Sequence, residues 1–236
     1  MSVSCFCAAL FSSAGRSAAS FAQALSRGLN IFKSTLLLTL SAAAALCLAA
    51  LYTPPAAAAD FSGHSAVVIS FSLLHNRVGG DSFAAEHSVG LTEHIGDLIA
   101  AETGADKILL RRAKLLPNDY QQAADLADAE QHAHARPALA FMPDVSAYDV
   151  IFVGFPTWSG TYPAAFDIFF DTGALEGKVV IPFCTHLGSG FGNALADLNA
   201  ALPDSTVTAC FAVNGRQVYS ERTEAELKAF LEELQF

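Results

Sequence analysis

The sequence predicts an α/β fold, a doubly wound five-stranded parallel sheet preceded by a signal peptide. Two observations predict the sheet. Five short apolar runs recur between residues 66 and 213, and four of the intervals between them carry helical periodicity. The runs are apolar throughout rather than alternating, the mark of strands covered on both faces by crossover helices. The third observation concerns the leader: all 23 acidic residues follow residue 59, and an apolar run precedes it.

Residues 1–59 contain Arg16, Arg27 and Lys33 and no acid. Lys33 is followed by an apolar stretch, Ser34 to Tyr52, and then by Pro54-Pro55-Ala56-Ala57-Ala58-Ala59. A positive flank, an apolar run and small residues at Ala-x-Ala spacing describe an export signal cleaved near Ala59. The expected location is therefore periplasmic or secreted, the alternative being a membrane anchor left uncleaved, since the run approaches spanning length. Residues 1–32 exceed an ordinary n-region and read as an over-extended start rather than an organelle transit peptide. The expected division is leader 1–59 and one domain, 60–236.

Within the domain, Ala66–Phe71 is the first strand and Leu91–Glu102 the first helix, ended by Gly104. Lys107–Leu110 is the second strand, and Asp119–His134 an Ala-rich helix. Asp149–Gly154 is the third strand, followed by a helix over Tyr162–Asp171 that opens on Pro163. Lys178–Cys184 is the fourth strand, with a helix over Gly192–Ala201. Thr206–Val213 is the fifth strand, and Thr223–Leu234 the last helix, with Thr223 and Glu226 spaced as a capping box. Cys184 and Cys210 lie in strand-like runs and read as free buried thiols. His94, His132 and His134 read as solvated helix residues without metal-ligand spacing.

After residue 59 the chain has 10 basic residues against those 23 acids. Such a domain is unsuited to nucleic acid or an anionic membrane, and suits a small ligand or a basic partner protein. Ligands of doubly wound sheets bind beyond the carboxyl ends of the strands, which directs attention to three loops.

The loop after the first strand holds Ser72 and ends Ser88-Val89-Gly90-Leu91-Thr92 at a helix start. Hydroxyls, a glycine and helix N-terminal amides make an anion site without lysine. Helix capping by Ser88 is the plainer alternative. The turn has neither the Gly-Lys-Ser/Thr of an NTPase nor the GxGxxG of a dinucleotide site. The loop after the third strand, Pro156-Thr157-Trp158-Ser159-Gly160-Thr161-Tyr162, carries the chain's single Trp, placed either to stack on a planar ligand or to cover the sheet edge. The loop after the fourth, Thr185-His186-Leu187-Gly188-Ser189-Gly190-Phe191-Gly192, allows close backbone approach or is simply a mobile turn. Leu187 and Phe191 occupy the glycine positions of a hydrolase nucleophile elbow, which argues against a serine hydrolase.

Several stretches in this order resemble the flavodoxin family, in its short-chain bacterial branch, from about Val67 to Val218. They are Tyr148–Trp158, Ile181–His186, Gly188–Asn193, Asn118-Asp119-Tyr120, Glu130 and Arg136-Pro137. The resemblance implies strand order 2-1-3-4-5 and flavin mononucleotide (FMN) as cofactor. By that analogy Ser72, Ser88, Gly90, Leu91 and Thr92 surround the phosphate. Pro156, Thr157, Trp158, Ser159, Gly160 and Tyr162 flank the isoalloxazine, and Thr185, His186, Gly188, Ser189 and Gly190 close its other edge. The Ser159-Gly160 peptide is the candidate to rotate toward the reduced ring. Three departures from the family pattern stand out. Leu91 replaces an Asn in the phosphate turn, and Ser159 replaces a second Trp, leaving Tyr162 to cover that face; an insertion, 73–87, also separates Ser72 from its turn.

The resemblance implies an electron carrier with a redox partner protein; the acidic charge of the domain implies no nucleic-acid contact and, once the signal is removed, no membrane contact. An FMN-dependent reductase using NAD(P)H or a quinone is the second expectation. A flavin-free binding domain on the same fold is the third.

Overall fold

The computed structural model describes residues 63–80 and 87–234. The expected leader and its expected cleavage site, and residues 81–86 of the 73–87 insertion, lie outside the described residues.

Strand β1 (Ala66–Ser70) leads through a one-turn helix α1 (Leu73–Asn76) toward α2 (Leu91–Thr103), and β2 (Asp106–Leu109) leads to α3 (Tyr120–His132). After β3 (Val150–Pro156) come a 3₁₀ turn (Ala164–Phe166) and the short α4 (Asp167–Phe170). Strand β4 (Val179–His186) precedes α5 (Ala194–Ala201), and β5 (Thr206–Val207), β6 (Phe211–Asn214) and α6 (Glu221–Glu232) close the chain. Every pairing between these named strands is parallel, in the order β2-β1-β3-β4-β5, with β6 also on β4. The expected order 2-1-3-4-5 is the observed one.

The alternation of side chains along a strand sorts the apolar runs into two cores. Val67, Ile69, Ile151, Val153 and Phe155 face one side, with Phe166, Phe169 and Leu198. Val68, Val150, Phe152, Ile181 and Phe183 face the other, with Ile95, Ile99 and Leu227. Each fully buried Phe contributes about 1.5–3 kcal/mol of burial free energy, so neither face tolerates exposure.

The fifth strand is broken rather than continuous over Thr206–Val213. Val180 pairs with Val207 and Phe183 with Phe211, so three residues, 208–210, oppose two, Ile181 and Pro182. This is a one-residue bulge. Its cause lies in β4: Val180 O accepts from Thr208 N at 3.0 Å, so Pro182, two residues on, turns toward the same neighbour with no N–H to donate. Ala209 takes φ +37° within the bulge, and Cys210 is exposed while Cys184 is buried.

The helix expected over Tyr162–Asp171 is reduced to the 3₁₀ turn and α4, because Tyr162 stays outside it. Tyr162 is buried, and its hydroxyl donates to Asp167 Oδ1 at 3.0 Å. The last helix begins two residues before Thr223. Ser220 is its N-cap, with Oγ accepting from Thr223 N at 3.2 Å, so the proper cap is Ser220 and not the Thr223–Glu226 pair. His132 is solvated, whereas His94 packs at 4.6 Å from the Tyr219 ring and is partly buried. His134 lies just beyond α3 with φ +48°.

Candidate functional site

The first part of the site is built where β1 ends. Ser72 is fully buried and its Oγ has no hydrogen-bond partner among the described residues. Its carbonyl is held by Asn76 Nδ2 (2.8 Å), and Asn76 is itself fixed by Leu110 O and Arg112 N. The N-cap of α2 is Gly90, not Ser88, which is exposed. Gly90 has no side chain with which to cap the helix, and a Cβ there would overlap Ser72 Oγ. A glycine is therefore required by close approach, and the approach brings an unpaired hydroxyl to a helix N-terminus. Glu93 Oε2 lies 3.5 Å from Gly90 N and 2.8 Å from His75 Nε2. Tyr219 OH donates to Val89 O (2.7 Å) and stacks on His87 at 3.5 Å, fixing the chain before the turn.

The second part follows β3. Trp158 N and O pair with Thr161 O and N at 2.8 and 2.9 Å, closing a two-residue turn. Its central residues, Ser159 and Gly160, have φ +48° and +79°, the signs of a type I′ turn. Rotation of the Ser159-Gly160 peptide converts this to type II′, where the first central position favours glycine, so Ser159 opposes the expected rotation. Trp158 packs against Phe71, ring centroids 6.3 Å apart.

The third part follows β4 and is tied to the other two. Thr185 Oγ1 lies 2.8 Å from Thr92 Oγ1 of α2. Thr157 N donates to Thr185 O (2.8 Å), and Thr157 Oγ1 donates to Gly190 O (2.6 Å). Gly160 O accepts from Asn193 N (2.7 Å); Gly192, with φ +56°, packs so closely on that carbonyl that a Cβ would collide with it. His186 Nδ1 accepts from Gly188 N at 3.0 Å, and burial lowers the imidazole pKa below its ordinary value.

Together these elements enclose a cavity of about 400 Å³ at the carboxyl rim of the sheet. That volume suits a small organic ligand or cofactor. Of the residues expected there, Leu91, Thr92, Pro156, Thr157, Trp158, Ser159, Thr185, His186, Gly188 and Ser189 line it. Ser72, just past the end of β1, and Gly90, the N-cap of α2, are buried and do not line it, but each precedes a lining residue, Leu73 and Leu91. Gly160 and Gly190 act through their carbonyls on neighbouring loop residues, and Ser88 points to solvent. Tyr162 does not cover the cavity: it packs edge-on against Phe155, Phe166 and Phe170, with burial and Asp167 pushing its pKa up.

Leu73, Tyr120, Leu187 and Gly215 also line the cavity and were not among the expected residues. Tyr120 follows β2 at the same rim and belongs to a stretch that carries the family resemblance, so topology and that stretch together pointed to it. Leu187 sits inside a loop read for its polar and glycine residues, and its apolar side chain carried no signal. Gly215 follows β6, whose end became visible only with the bulge.

The flavodoxin family model matches residues 84–234. A candidate flavoprotein from Bacteroides uniformis is 25% identical, covering 70% of this chain and 99% of that one, with TM-score 0.56. A second, from Bacteroides eggerthii, is 22% identical over 71% and 99% of the two chains, with TM-score 0.53. A flavoprotein from Lactobacillus acidophilus solved in complex with FMN is 16% identical over 71% and 99%, with TM-score 0.50. No curated protein matches the sequence. With the family model spanning more than half of the chain and the sheet in the expected order, the chain belongs to the flavodoxin family.

Proposed function

We propose that this protein is an FMN-dependent redox protein that passes electrons to or from a partner through a non-covalently held flavin. The single observation that carries the reading is the buried, unpartnered Ser72 hydroxyl against Gly90 at the N-terminus of α2, beside the cavity. A buried hydroxyl without a partner costs about 1–3 kcal/mol, and an anion at this helix end removes that cost.

The residues fit FMN. Ser72, Thr92 and the first amides of α2 would hold the phosphate, the α2 dipole favouring its charge. Trp158 and Tyr120 supply aromatic surface for the ring, while Thr185, His186 and Gly188 supply polar groups at its edge. None of the described lining residues is Lys or Arg, so the site recognises phosphate by amides and hydroxyls. FMN supplies one- or two-electron transfer when bound, and the protein sets access and charge around it. The acidic surface disfavours added negative charge in the cavity and steers a basic partner.

Two observations keep a reductase of NAD(P)H or a quinone as the second reading: Ser159 is exposed in the cavity wall, and Leu187 and Tyr120 are half exposed at its mouth. The leader extends the proposal to export, with the working domain periplasmic or secreted. Mixing the purified protein with FMN and desalting it tests the cofactor: a yellow protein with a shifted flavin spectrum is expected, and a colourless one refutes the reading. Steady NADPH oxidation with a quinone and no partner protein decides for the reductase.

A further inference from the structure

We propose that FMN binding by this protein is proton-linked through His75: the phosphate draws a proton onto this imidazole, and the imidazolium offsets the Glu93 carboxylate at the same turn. This inference rests on the FMN reading of the cavity and adds its regulation by pH. His75 lies in the 73–87 insertion, outside the residues assigned above to phosphate and ring.

The start of α2 carries opposing signals for an anion. The amides of Leu91, Thr92 and Glu93 have no intrahelical acceptor and favour one. Yet Glu93 Oε2 reaches back to Gly90 N at 3.5 Å, which sets a carboxylate at that end of the helix. A second anion there meets repulsion, and no Lys or Arg among the described cavity-lining residues relieves it. Among the described ion pairs, the partner of Glu93 is His75, whose Nε2 lies 2.8 Å from the same Oε2. The two side chains are 27% and 23% exposed, so salt screens them less than surface charges. A carboxylate only accepts, so neutral His75 carries its proton on Nε2, and a proton taken from solvent goes to Nδ1. The pair is then neutral rather than anionic, which removes the charge that opposes the phosphate. Imidazole is the side chain that makes this change near neutral pH. The backbone of His75 is fixed beside Asn76, which is bonded to Ser72 O, Leu110 O and Arg112 N. The other charged groups around the turn are directed elsewhere. Arg77 gives its Nε to Gly80 O and lies 6.0 Å from the Tyr120 ring centroid. Asp97, one helical turn after Glu93, is paired with Lys107. His87 and His94 pack on the Tyr219 ring, and burial lowers the His94 pKa despite Asp97 and Glu224.

Because the phosphate is favoured with His75 protonated, FMN affinity rises as pH falls. Two variants isolate the linkage. His75→Gln keeps an N–H donor for Glu93 and cannot take up a proton, while Glu93→Gln keeps the capping-box amide and removes the carboxylate. In fluorescence titrations, wild type is expected to tighten on FMN between pH 8.5 and 6.5 by about three- to tenfold more than H75Q does. The phosphate's own titration and those of His87 and His94 are common to both proteins and cancel. At pH 8.5, E93Q is expected to bind FMN about threefold more tightly than wild type, whereas a merely structural ion pair predicts weaker binding. Calorimetric titrations of wild type at pH 7 in two buffers of different ionisation enthalpy need no variant: net proton uptake is expected with FMN and none with riboflavin. Equal pH dependence in wild type and H75Q, equal proton uptake with the two flavins, or an E93Q variant that binds FMN no more tightly than wild type at pH 8.5 overturns the proposal and leaves the cofactor reading intact. Failure of wild type to bind FMN at either pH overturns the cofactor reading and this linkage with it.

Discussion

At the scale of single residues, the site is distinguished by groups left unsatisfied. Ser72 Oγ is the sharpest case, because a hydroxyl fully enclosed by protein normally has a partner. Its replacement is expected to have opposite effects on stability and binding. Ser72→Ala removes the unpaired group and raises the stability of the unliganded protein by about 1 kcal/mol, while weakening FMN about tenfold, the loss of one hydrogen bond to a charged group. Thermal denaturation without ligand and an FMN titration measure the two. A loss of stability without ligand contradicts the account.

Individual residue identities were legible in the sequence where chemistry is local. Hydroxyls and a glycine at a helix start, and an aromatic in a loop at the end of a strand, announced themselves. Tyr162 did not: nothing in its neighbours showed that its ring would turn into the Phe155–Phe166–Phe170 cluster rather than toward the cavity. Which way a loop side chain turns depends on packing from elements distant in sequence.

At the scale of elements, the long helices and buried strands follow directly from periodicity, and the departures have specific causes. The fifth strand reads as one apolar run, yet a proline in its neighbour interrupts the ladder and a bulge absorbs the mismatch. Strand pairing is invisible until the partner is known. α3 shows a similar dependence. Its Glu130 receives both guanidinium nitrogens of Arg112 at 2.6 and 2.7 Å, with the two side chains 16% and 7% exposed, anchoring the helix to the segment after β2. Arg112 Nε also donates to Lys114 O. This pair borders a small void beneath Trp158 and Ser159, so it supports the cavity wall from behind. Glu130→Ala leaves a buried guanidinium without its counter-charge and is expected to cost about 3 kcal/mol in chemical denaturation. Replacing both residues by apolar ones is expected to recover most of that loss. A single variant as stable as wild type contradicts the anchoring role.

At the scale of the whole molecule, two covered faces of one parallel sheet bring three loops to a single rim, and threonine contacts lock them together. The Thr92–Thr185 contact spans 93 residues of sequence and Thr157–Gly190 spans 33. Sequence order and sheet order suffice to predict that these loops meet, which is why most lining residues could be named in advance. The cavity's mouth was less legible, because Leu73 and Tyr120 reach it from segments whose placement depends on the buried Asn76 network. The central claim is that one ligand is held at two ends, a phosphate by α2 and Ser72, and a flat ring by the second and third loops. Comparing FMN with riboflavin, which has the same ring and no phosphate, in fluorescence titrations of the purified protein tests both ends together. The account predicts that FMN binds at least about tenfold more tightly, with riboflavin still binding measurably; equal affinity for the two, or no binding of either, would contradict it.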